Sequence, residues 1–118
     1  MAVTGIGGVF FRANDPKALK AWYGQHLGVI GEGWTPWEQH AGPTLIVPFS
    51  QDTTNFPLAK QWMINFRVSG LDEMIAALRE AGIEVTTNTE WDTAETGKFA
   101  RLHDPEGNAI ELWEPPLD

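Results

Sequence analysis

Leu102-His103-Asp104-Pro105-Glu106-Gly107-Asn108-Ala109-Ile110-Glu111-Leu112-Trp113-Glu114 is the stretch that decides the reading of this chain. Asp104 to Asn108 is turn chemistry: Pro105 fixes φ, and Gly107 and Asn108 tolerate positive φ, so the chain can reverse tightly. Ala109 to Trp113 then alternates as a strand does. Ile110 and Leu112 point to one face, and Ala109, Glu111 and Trp113 to the other. A carboxylate in mid-strand, between a small residue and an indole, is an odd choice for a solvent face. An exposed Glu on an edge strand is the ordinary alternative.

Upstream of this stretch, Lys98–His103 and Ile83–Thr87 read as strands, and Trp62–Val68 as another. In that last one Met63, Asn65 and Arg67 share a face, and Ile64, Phe66 and Val68 take the opposite one. Between them Leu71, Met74, Ile75, Leu78 and Ala81 form a helical stripe, opened by a Ser69–Asp72 capping box and closed by Gly82. The first half follows the same order. Gly5–Ala13 reads as a strand. A helix then runs from Asp15 as N-cap and Pro16 through Ala18, Leu19, Trp22 and Tyr23 to Gly28. Val29–Gly33, Trp37–His40 and Thr44–Phe49 are three short strands between Gly and Pro turns.

The two halves are related by a shift of 55. It lays Phe11-Arg12 on Phe66-Arg67 and Leu19 on Met74, and with one deletion Leu27-Gly28 on Ala81-Gly82. Such periodicity marks an internal duplication. The expected fold is therefore α+β, with two tandem βαβββ modules whose sheets enclose a cup-shaped cavity. Residues 1–118 form one domain, with module one at 1–50, a linker at 51–61 and module two at 62–118.

This arrangement, with the Asp-Pro-x-Gly-Asn turn leading into a strand Glu and the Trp22-Tyr23 and Leu27-Gly28 pairs, resembles the vicinal oxygen chelate superfamily. Glyoxalase, bleomycin-resistance proteins and extradiol dioxygenases belong to it. The resemblance implies a divalent metal held on four cup-facing strand positions by His, Glu or Gln, with Glu111 as the last of them. The first-strand position falls on Gly8 and its repeat partner on Met63, and Thr44–Phe49 contains no His, Glu or Gln. Glu111 stands alone, and one carboxylate does not hold a catalytic divalent ion against water. No metal and no other cofactor is expected. Glu38 and His40, i and i+2 on a short strand, are the one alternative half-site. Glu111 is the only candidate for acid–base catalysis, and no second group clearly completes such a mechanism.

The cup-facing positions then form a mostly apolar and aromatic lining with a few polar groups, which is how small-molecule sites are built. Phe10, Arg12, Trp37, Met63, Asn65, Arg67, Glu111 and Trp113 are the expected ligand-binding residues. The resemblance, read without its metal, implies a binding protein of the bleomycin-resistance type for a flat, partly aromatic ligand. A metal-dependent lyase, isomerase or dioxygenase with an atypical site is the alternative. Glu111 requires a partner in either case, and Arg12, Arg67, the Asn65 amide or a Trp N–H could supply it.

Composition narrows the rest. A formal charge of −8 with no basic cluster argues against nucleic acid or an anionic membrane. The absence of Cys removes disulfides and thiolate chemistry. No charged leader and no long apolar run opens the chain, so a cytoplasmic protein without a membrane span is expected. The resemblance also implies a homodimer.

Overall fold

The computed structural model describes residues 1–29 and 36–116. Two helices, α1 (Pro16–Leu27) and α2 (Leu71–Glu80), accompany three strands, β1 (Ile64–Arg67), β2 (Lys98–His103) and β3 (Ala109–Glu114). The sheet order is β1-β3-β2, with β1 parallel and β2 antiparallel to the central β3. No helix among the described residues is long and apolar enough to cross a membrane.

The opening stretch folds as its chemistry dictates. Asp104 is buried, and its carboxylate accepts from the backbone N–H groups of Glu106 and Asn108, the Asn108 amide and the Tyr23 hydroxyl. Gly107 takes φ +81, which a side chain would strain. Glu106 reaches across to accept from the N–H groups of Asn14 and Asp15, tying the turn to the start of α1. This turn is a clamp as well as a reversal.

Helix α1 begins where Asp15 accepts from Ala18 N–H at 3.0 Å, with Pro16 in its first turn, and ends on Gly28 in the left-handed region. Helix α2 starts 55 residues after α1, as the repeat requires. Its cap departs from expectation. Gly70, at φ +65, is the N-cap and offers no side chain, so the Ser69–Asp72 box does not form. The Glu114 carboxylate accepts the Leu71 N–H at 2.8 Å instead.

Both helices share one core. Leu19 and Tyr23 of α1 join Leu71, Ile75 and Leu78 of α2 against Ala100, Leu102, Ile110 and Leu112, the same face of β2 and β3. The first half thus contributes its helix to the second half's sheet. Gly5–Ala13, Trp37–His40 and Thr44–Phe49 carry the strand alternation but form no ladder, while of Val29–Gly33 only Val29 lies within the described residues. Gly5, Gly7 and Gly8, then Pro43 and Pro48, weaken or interrupt these runs. Ile83–Thr87 is reduced to one bridge, Thr86 to Arg101. Among the described residues there is one three-stranded sheet, not two four-stranded ones.

Candidate functional site

The face of the sheet opposite the helices carries two rows of side chains, set by strand register. The first row runs Asn65–Glu111–Arg101 across β1, β3 and β2. The second runs Arg67–Trp113–Phe99. Alternation in β3 puts Glu111 on this face because Ile110 and Leu112 are taken by the core.

Glu111 is satisfied within its own row. Oε1 accepts from the Asn65 amide at 2.8 Å, and Oε2 accepts from Arg101 Nε at 3.1 Å. The pair is substantially covered, with 14% of the Glu111 side chain and 23% of the Arg101 side chain exposed. The rest of the guanidinium is also occupied. Its terminal nitrogens donate to the Asn55 backbone carbonyl and to Asn55 Oδ1, and its Cζ lies 4.7 Å from the centre of the Trp91 ring. A carboxylate that would be costly alone is neutralised by a cation that is itself held from three sides.

The second row is aromatic and largely closed. Trp113 is 8% exposed, donates its indole N–H to the Thr96 carbonyl at 2.7 Å, and stacks on Phe99 at a centroid distance of 6.5 Å. Arg67 leans away from that pair and donates to the carbonyl oxygens of Pro43 and His40. It pins the 40–43 turn to the end of β1.

The sequence-predicted residues are therefore only partly gathered. Asn65 and Glu111 are bonded to each other, and Arg67 and Trp113 share the adjacent row. Trp37 meets Phe66 edge-on at 6.4 Å, on the helix side of β1. Met63 precedes β1. Phe10 is 91% exposed and Arg12 is also exposed, neither touching Glu111. The guanidinium beside Glu111 belongs to Arg101, not to Arg12 or Arg67. That assignment was available from the hairpin: His103 and Ala109 close it, so counting two residues outward on each side pairs Arg101 with Glu111. Asn55 lies in an irregular linker, and no pattern in the sequence points to it.

The donor set does not fit a divalent metal. Both Glu111 oxygens are engaged, a guanidinium lies beside them, and no group of three or more His, Cys, Asp or Glu converges among the described residues. Glu38 and His40 belong to no such group among the described residues. Tyr23 is the one phenol of the core. Burial, and then its hydrogen bond to Asp104, push its pKa far above the ordinary tyrosine range.

Comparison with known proteins adds two findings. The family model described as a glyoxalase-like domain matches residues 8–113. Among solved structures, the chain is similar to TnmS3, an antibiotic binding protein from Streptomyces sp. CB03234. The TM-score is 0.62, the identity 18%, and the match covers 98% of each chain. No curated protein matches in sequence.

Proposed function

The chain belongs to the glyoxalase-like domain family, and on that premise we propose that it is a metal-independent small-molecule-binding protein. Its ligand is flat and partly aromatic, and lies against the Asn65–Glu111–Arg101 row. The observation that carries this reading is the way Glu111 is satisfied. At the position where the family resemblance implies a metal ligand, both oxygens are met by Asn65 and Arg101. The row then offers a neutral hydrogen-bonding centre beside the half-buried Trp91, a setting suited to a ring with polar edges. The similarity to an antibiotic-binding protein supports the same reading.

In this reading the site is a cup between two modules, 1–50 and 62–118, joined by the 51–61 linker in a cytoplasmic protein. Val9, Phe10, Phe11, Leu45, Ile46 and Val47 are exposed apolar side chains on the first module. A second copy of the chain covers them in a homodimer. Light scattering checks the dimer directly.

Metal analysis of protein purified without chelator tests the central point. The expected result is well under one divalent ion per chain. A tightly held ion near one per chain would restore the lyase, isomerase or dioxygenase alternative.

A further inference from the structure

Residues 50–60 reach the Glu111 row on a framework of their own. A turn closes at each end, with Thr53 N–H donating to the Ser50 carbonyl at 3.0 Å and Lys60 N–H to the Pro57 carbonyl at 2.9 Å. Between the turns, Thr53 Oγ1 accepts from the backbone N–H of Asn55 at 3.2 Å and from its side-chain amide at 2.9 Å. The amide nitrogen is thus tied back to Thr53, and both oxygens of Asn55 meet Arg101. Nη1 donates to the Asn55 carbonyl at 3.1 Å and Nη2 to Oδ1 at 3.3 Å.

These two contacts differ in kind from the rest of the guanidinium's surroundings. Nε is matched to Glu111 by opposite charge, and the guanidinium carbon lies over the Trp91 ring. The Asn55 oxygens are neutral, and both bonds exceed the roughly 2.7–2.9 Å of a strong charge-assisted hydrogen bond. Asn55 itself is exposed. A loosely held, solvent-facing pair of acceptors therefore covers the outer edge of a cation that is otherwise fixed.

Resting on the reading that a flat ligand lies against this row, we propose that residues 50–60 are a gate and Asn55 an internal substitute for the ligand. Its two oxygens hold Nη1 and Nη2 until the ligand displaces them. That defines the ligand more closely: one edge of its ring plane carries two oxygen acceptors, matched to the planar fork of the guanidinium. Those oxygens are neutral. Glu111 already supplies the counter-charge of Arg101, and a chain of net charge −8 repels a further anion. Because Asn55 competes for the same donors, the closed gate lowers the apparent affinity of the ligand.

The test is an NMR titration of the full chain with three flat aromatic probes. Methyl benzoate carries two neutral oxygens on one edge, benzoate carries them with a charge, and ethylbenzene has no acceptor. The ester is expected to bind saturably, about fivefold tighter than either of the others, with shifts at Arg101 and Asn55. Asn55→Ala and Thr53→Val loosen the gate, so each should tighten the ester by roughly three- to tenfold and leave ethylbenzene unchanged. Arg101→Lys, which lacks the fork, should abolish the preference for the ester. Ester affinity that is unchanged or weaker in both gate variants would overturn the gate and make Asn55 a support for Arg101. Tighter binding of benzoate than of the ester would overturn the neutral-acceptor assignment. Equal affinity for all three probes would overturn the gate while the aromatic site stands, whereas no saturable binding to any of these proteins would overturn both.

Discussion

Arg101 Nε donates to Glu111 Oε2 across the β2–β3 hairpin at 3.1 Å, directly opposite in register. The ion pair stands at the position where the family resemblance implies a metal ligand. Its partial exposure moderates its worth, since solvent screens it in part. Glu111→Gln preserves the shape and the bond from Asn65 but leaves the guanidinium without its counter-charge. A loss of about 2 kcal/mol in urea unfolding is expected, less than for a fully buried pair. An unchanged midpoint would show that the pair contributes nothing.

Tyr23 gives the fold an alkaline limit. Its hydroxyl donates to Asp104 at 2.7 Å, and its pKa in the folded state is raised by burial first and by Asp104 second. A raised pKa means that the unfolded chain loses this proton at a lower pH than the native one. The associated stability is complete below about pH 10, the ordinary value, and declines as pH rises above it. The slope should approach ~1.4 kcal/mol per pH unit. Tyr23→Phe should lower stability at pH 7 by about 1–3 kcal/mol and flatten the decline above pH 10. Parallel pH–melting curves for the two proteins would contradict this.

Gly97 is the tightest backbone position of the β2 entry. It sits at φ +101, and a Cβ there would fall 2.2 Å from the Glu114 carbonyl oxygen. Both the strain and the clash are against backbone, so no side chain can rotate away. Gly97→Ala should cost more than about 2 kcal/mol. Gly107→Ala, which has open space around it but a positive φ, should cost only about 1 kcal/mol. Equal melting temperatures for the two variants would refute the distinction.

Local chemistry made the second half of the chain and the start of α1 readable. The Asp104–Asn108 turn, the alternation of β1 and β3, and the Asp15 cap each depend on a few adjacent residues, and each stands where the sequence placed it. The first-half strands were not legible in the same way. A run such as Thr44–Phe49 alternates correctly, but a strand exists only when a partner lies beside it, and no local pattern specifies that partner. The α2 cap failed for a related reason: the acceptor came from Glu114, 43 residues away, over a Gly70 that had no cap to offer. In the Glu111 row, alternation put Glu111 and Asn65 on one face, and the family resemblance singled out Glu111. Arg101 needed the hairpin register, which the turn already contained, whereas Asn55 depends on where the linker comes to rest.

The proposal of a metal-independent aromatic-binding protein is tested most directly by one titration. Intrinsic tryptophan fluorescence is followed as planar aromatic compounds with polar edges are added in the presence of EDTA. Trp91 lies against Arg101 and therefore reports on the Glu111 row. At least one compound is expected to quench saturably with chelator present, and Trp91→Ala should weaken that binding by about 1–3 kcal/mol. Quenching that is linear for every compound, or that saturates only when a divalent ion replaces the chelator, would contradict it.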